Sequence, residues 1–167
     1  MAGKIDILLF VEDPSAANYA ALLLPALRRR GWNPQFCAAG VARQLLRAQG
    51  IPFREAASPV DIEKLLEQVR PRCVLAGTAE NPDTLGLQLI AAARTADIPS
   101  LAIIDARMNH EHRLRGRSLD PLAYAPDWLL VPDQWTLEAF ASLGYPRERI
   151  TVCGHPQYDL TRILRNE

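Results

Sequence analysis

Short apolar runs alternating with helix-periodic segments are the feature that most limits how this chain can fold. The first run, Ile5 to Val11, is apolar except at Asp6 and rich in branched residues, as a strand covered on both faces must be. Ala16 to Arg30 follows a helical period, with Tyr19, Leu22, Leu23, Ala26 and Leu27 expected on the inward side and Gly31 as a stop. "PQFCAA" gives a second strand, "VARQLLRAQG" a second helix and "IPFREA" a short third strand. Asp61 to Arg70 reads as an amphipathic helix with Ile62, Leu65, Leu66 and Val69 inward, and "CVLAGT" as a buried fourth strand. "DTLGLQLIAAARTADI" is a helix, "SLAIID" a fifth strand, and residues 106–126 form an irregular stretch. "WLLV", "QWTLEAFASLG" and "RITVCG" complete the series as strand, helix and strand. Seven strands joined by helical crossovers predict a Rossmann-like, doubly wound, mostly parallel α/β sheet in three α/β/α layers, because right-handed crossovers place helices on both faces.

Size and charge narrow the function classes. A chain of 167 residues fits one domain spanning 1–167, which buries roughly two-thirds of its unfolded surface. Nineteen basic residues balance nineteen acidic ones, which argues against a dedicated nucleic-acid binder. Cys37, Cys73 and Cys153 lie far apart in apolar stretches and are expected to be buried, reduced thiols. "MAGKIDILLFVED" lacks a small-residue cleavage site, and no apolar run is long enough for a transmembrane segment, so a cytoplasmic location is expected.

In a doubly wound sheet, ligands bind beyond the carboxyl ends of the strands, near the point where strand order reverses. The residues in those positions are polar. Glu12, Asp13, Pro14, Ser15 and Asn18 follow the first strand, Gly77 to Asn81 the fourth, and Asp105 to His112 the fifth. Pro132 and Asp133 follow the sixth, and Gly154 to Tyr158 the seventh. "EDPSAAN" is not the G-x-G-x-x-G fingerprint, and two carboxylates there would repel a pyrophosphate. G-x-S-x-G, G-K-[ST] and Ser-His-Asp patterns are also missing, which removes the hydrolase and P-loop readings.

Three stretches carry candidate chemistry. In the first turn, Asp13 or Ser15 caps the first helix with Pro14 at an early position, while Glu12 or Asp13 is placed to bind a hydroxyl-rich ligand. In "AGTAENPDTLG", Gly77 and Thr78 allow close approach to a ligand and Glu80 is placed to act as a general base. Asn81 or Asp83 serves equally as a cap for the next helix. The 106–126 stretch holds His110, Glu111 and His112 with Arg107, Arg113, Arg115 and Arg117. H-x-H without a third ligand is a poor zinc pattern, and the arginine forks suit phosphate or carboxylate unless the loop is simply solvated.

The closing "ITVCGHPQYDLTRIL" resembles the T-G-[NH]-P-x-x-D pattern that ends the N-terminal domain of GT-B glycosyltransferases and of the related UDP-N-acetylglucosamine 2-epimerases. "PDWLLVPDQWTLEAFASLGYPRERI" is similar to their penultimate unit, and Cys153 replaces the commoner small residue before the glycine. The resemblance implies an acceptor-side domain, with the nucleotide-sugar donor held by a missing C-terminal domain or a separate donor-binding subunit. It implies Glu80, Asp13 and His110 as base candidates. Glu12, Asn81, Asn109 and loop arginines including Arg107 would line a cleft for a sugar or glycolipid-type acceptor. Ser15, Asn18, Gly77, Thr78, Asp105 and His155 are the further candidate substrate contacts. No metal and no bound cofactor are implied, since the nucleotide sugar enters as a substrate.

A UDP-sugar 2-epimerase and a non-catalytic binding module on the same scaffold are the alternatives, and self-association is left open. In the tail, "HP" reads as a turn with Asp159 capping a short helix, and a linker-like ending predicts exposed Leu160, Ile163 and Leu164.

Overall fold

The computed structural model describes residues 5–165. It contains a seven-stranded, wholly parallel sheet in the order β3-β2-β1-β4-β5-β6-β7. The strands are β1 (Ile7–Val11), β2 (Pro34–Ala38), β3 (Phe53–Glu55), β4 (Cys73–Gly77), β5 (Ser100–Ile103), β6 (Trp128–Val131) and β7 (Ile150–Val152). The helices are α1 (Pro14–Arg29), α2 (Ala42–Ala48), α3 (Pro59–Val69), α4 (Leu85–Thr95), α5 (Gln134–Ser142) and α6 (Pro156–Arg165). This is the doubly wound α/β fold expected from the alternation. Strand order reverses between β1 and β4, so the crevice position lies beyond Val11 and Gly77.

Because side chains alternate across a strand, β1 feeds two cores at once. Leu8 and Phe10 join Ile62, Leu66, Ile90 and Phe140 beneath α3, α4 and α5. Ile7, Leu9 and Val11 join Ala17, Tyr19, Leu24 and Leu46 beneath α1 and α2. All five β1 residues are buried, which explains why the run shows no polar alternation.

Two expectations about packing are corrected. The buried residues of α1 are Ala16, Ala17, Tyr19, Ala20 and Leu24, Leu23 and Leu27 pack half-buried against the same core, and Leu22 is exposed. The face is set by how closely the helix approaches the sheet. A Cβ placed on Gly77 would lie 2.4 Å from the Ala16 Cβ, and one on Gly86 would lie 2.7 Å from the Gly77 carbonyl. The end of β4 is thus pressed between the first turns of α1 and α4, where only small residues fit. Gly77 therefore serves helix packing. Cys37 is buried and Cys73 half-buried as free thiols, but Cys153 is exposed.

The tail forms α6 against α1. Tyr19 Oη donates to the Gly154 carbonyl at 3.2 Å and lies 3.2 Å from Cys153 Sγ. The His155 ring stands edge-on to Tyr19 at 4.9 Å, and its Nδ1 accepts the Gln157 N–H at 3.2 Å. His155 thus takes part in the turn that precedes α6, and because α6 begins at Pro156, residue 159 falls inside the helix instead of ahead of it. The side chains of Asp159, Leu160, Ile163 and Leu164 lie outside the described residues.

Gly77→Ala is expected to cost about 1–3 kcal/mol in urea denaturation. Ala16→Gly should recover part of that loss in the double variant, since it removes the methyl that clashes; equal losses in single and double variants would place the strain elsewhere.

Candidate functional site

The site is built where β1, β4 and β5 end. Asp13 adopts extended backbone as the N-cap of α1 and accepts the Ala16 N–H at 2.9 Å, with Pro14 in the first helical turn. Glu12 reaches across the reversal of strand order to α4. Its Oε2 accepts the Leu85 N–H at 3.0 Å and the Thr84 hydroxyl. Thr84 is the N-cap of α4, accepting from Gly86 N at 3.2 Å, so neither Asn81 nor Asp83 has that role. Asn81 instead accepts the Asp83 N–H at 3.1 Å, closing the turn, and Asp83 forms a two-point pair with Arg117 on the surface. A carboxylate at a helix start satisfies orphan N–H groups and the positive end of the dipole.

At the centre lies Arg113, whose side chain is 7% exposed. Its Nη1 donates to Asp105 Oδ1 at 2.6 Å and to the Thr78 carbonyl at 3.2 Å, and its Nε to the Met108 carbonyl at 3.4 Å. Asp105 Oδ2 accepts the Ser15 hydroxyl at 2.6 Å, and the buried Thr78 hydroxyl donates to the Ile103 carbonyl at 2.7 Å. One connected network therefore ties together the segments that follow β1, β4 and β5. Burial pushes the Asp105 carboxyl upward, but the Ser15 hydroxyl and the Arg113 guanidinium outweigh it, and the net shift is below the ordinary carboxylate range. The network also explains why 106–126 is not a solvated loop: Arg113 and Leu114 are buried, and Tyr124 N donates to the Leu114 carbonyl at 2.8 Å.

The remaining candidates project outward. Glu80 is exposed, with its Oε1 3.9 Å from Arg113 Nη2. Asn109 is exposed in a left-handed backbone conformation (φ 54°), and Arg107 is exposed. His110 Nδ1 lies 3.2 Å from Glu111 Oε2, and its ring meets Phe140 edge-on at 6.0 Å. Asn18 accepts from Gln49 Nε2 at 3.3 Å on the outer side of α1 and is not part of the network. His155 belongs to the tail turn against Tyr19. The structure thus brings Ser15, Thr78, Glu80 and Asp105 together around Arg113, and sets Arg107, Asn109 and His110 farther along the same rim.

Two clefts open on this rim. One of about 490 Å³ lies beyond β1, β2 and β3 and includes Glu12, Gly40, Arg43, Asp83 and Gln88. The other, about 530 Å³, lies between residues 107–111 and α5. A third, of about 500 Å³ and more apolar, lies between the C-terminal ends of α3 and α4, at the opposite end of the sheet. Sequence alone does not single out Thr84, Trp135 or Glu138, because their placement depends on contacts between distant segments. Among the described residues no cluster of three or more His, Cys, Asp or Glu could hold a metal, and no helix is long and apolar enough to cross a membrane.

Comparison with known structures identifies the fold. This chain has the Rossmann-like fold of one half of the UDP-N-acetylglucosamine 2-epimerases and of MurG. The Neisseria meningitidis UDP-GlcNAc 2-epimerase solved with UDP-GlcNAc matches with a TM-score of 0.70 at 17% identity, over 90% of this chain and 46% of that one. S. aureus MnaA solved with UDP gives 0.70 at 15% identity, over 91% and 44%. Acinetobacter baumannii MurG gives 0.59 at 16% identity, over 90% and 45%. The chain spans about half the length of these proteins, and identities this low establish shared fold alone. No protein-family model and no curated protein sequence matches it.

Arg113→Ala leaves Asp105 without its cationic partner and is expected to cost about 3 kcal/mol. A carboxyl whose folded pKa lies below its unfolded value stabilises above about pH 4 and loses that contribution as pH falls through the folded value. The stability gap between wild type and Asp105→Asn should therefore be full at pH 7 and close as the pH falls below about 4. Urea denaturation across that range checks it, and a gap independent of pH would remove the ion pair as its cause.

Proposed function

We propose that this chain is the acceptor-binding domain of a glycosyltransferase-like protein acting on nucleotide sugars, completed by a donor-binding domain on the same or a separate chain. The observation that carries the proposal is the Ser15–Asp105–Arg113–Thr78 network at the reversal of strand order, with Glu80 exposed above it. The half-length match to nucleotide-sugar proteins supports it.

In this reading an acceptor hydroxyl lies at Glu80. The acceptor oxygen attacks the anomeric carbon of the donor, the bond from that carbon to the nucleoside diphosphate breaks, and the hydroxyl proton passes to Glu80. Glu80 is preferred over Asp13 as the base because Asp13 already caps α1, whereas the Glu80 carboxylate faces solvent. His110, held by Glu111, is the other outward-facing candidate. A second reading, a UDP-sugar 2-epimerase, is favoured by the names of the structural neighbours, one of which is solved with UDP-GlcNAc.

The two are separated by incubating UDP-GlcNAc with the protein in the full chain or complex in which it occurs and following products by proton and phosphorus NMR. Transfer gives free UDP and a new glycosidic anomeric proton only when an acceptor is supplied. Inversion at C2 without acceptor supports the epimerase, and binding without either product overturns both. Under the transfer reading Glu80→Gln lowers kcat by about 100-fold or more with KM little changed; an unchanged kcat rules Glu80 out as the base.

A further inference from the structure

Beyond the Asp105–Arg113 pair, residues 107–111 form one wall of the 530 Å³ cleft and α5 forms the other. Arg107, Asn109, His110 and Glu111 line it from the loop, and Trp135 and Glu138 from the helix. Trp135 is 72% exposed. A large indole left in water on a rim of polar side chains presents a flat apolar face beside hydrogen-bonding groups.

The polar groups are preset. Glu138 accepts from Gln134 Nε2 at 3.0 Å and from Arg147 Nη1 at 2.8 Å, and the Arg147 and Gln134 donors hold its carboxyl down to about 2. It is therefore an anionic acceptor held in place by two side-chain donors. His110 is fixed between Glu111 and the edge-on ring of Phe140. The charge of the lining selects among ligands. Arg107 is the lining cation, against the carboxylates of Glu111 and Glu138, and Arg147 is already paired with Glu138. That balance repels a diphosphate and suits an uncharged polyol. A pyranose fits both aspects, since its C–H face packs on an aromatic ring while its hydroxyls meet carboxylate, amide and guanidinium at the edge.

We infer that this cleft binds a neutral sugar ring of the acceptor, stacked on Trp135 and hydrogen-bonded by Glu138, Asn109 and Arg107. The inference rests on the sugar-transferring reading for the class of ligand and adds a second contact region to it, away from Glu80.

The probe is N,N′-diacetylchitobiose, titrated into the chain while the indole N–H resonances are followed by NMR, with Trp135→Phe used for assignment. The expected result is a saturable shift of the Trp135 indole with those of Trp32 and Trp128 unmoved. Trp135→Ala, at an exposed position, should weaken binding roughly tenfold, read from the Asn109 and His110 amides. Absence of a saturable shift, an affinity unchanged in Trp135→Ala, or a stronger response of Trp135 to UDP than to the disaccharide each overturns the inference. Glu80 does not line this cleft, so normal turnover in Glu80→Gln together with an intact Trp135 response removes Glu80 as the base and leaves the sugar site standing.

Discussion

A guanidinium removed from water at the head of the sheet is the constraint on which the rim depends. Burying a charge that way costs several kcal/mol unless a partner and further acceptors surround it. Arg113 meets that condition through Asp105 and the carbonyls of Thr78 and Met108. Each acceptor comes from a different position on the chain, so satisfying Arg113 fixes the ends of β4 and β5 and the path of the long connection that follows. Leu114, next in sequence, enters the core on the same turn. About twenty residues with little regular structure are thereby anchored at one buried charge and one buried aliphatic group, while Arg107, Asn109 and Leu119 stay exposed.

Much of this architecture was legible in the sequence, and the exceptions share a cause. Strand runs such as Ile7–Val11 and Cys73–Gly77 are doubly covered, so composition alone marks them. The Asp13 cap is readable because capping is local: an acid, a proline and a small residue in a row need nothing from elsewhere. Thr84 and Glu12 illustrate the opposite case. Glu12 reaches α4 from 72 residues away, and its presence there moves the cap from Asn81 or Asp83 to Thr84. In α1 the hydrophobic period places Tyr19, Leu23 and Leu27 against the core, while the alanine at the contact with Gly77 depends on a strand distant in sequence and Leu22 is exposed. The four loop arginines look alike in sequence. Leu114 stands beside both Arg113 and Arg115, so the residue that goes inside is decided by Asp105 and the Thr78 carbonyl, which come from distant segments.

The polar rim thus divides into two populations. Glu12, Asp13, Ser15, Thr78 and Asp105 satisfy one another or the helix ends and give the rim its shape. Glu80, Arg107, Asn109 and Trp135 stand on that frame and face outward. Groups of the first kind hold the second in place, which is the arrangement expected where a rigid scaffold presents reactive or binding groups at its surface.

Helix α1 joins two regions that are otherwise far apart in sequence. Ser15 touches Asp105, and Tyr19, four residues on, holds the turn at Gly154 that leads into α6. Four residues make one helical turn, so the two side chains project from the same side of a single hydrogen-bonded coil. Burial and the neighbouring Cys153 thiol raise the Tyr19 phenol well above its usual range, which keeps its proton on the oxygen and the donor in place. One helix thus holds both the hydroxyl that braces Asp105 and the phenol that receives the turn after β7, with the Ala16–Gly77 contact seating its first turn on the sheet between them.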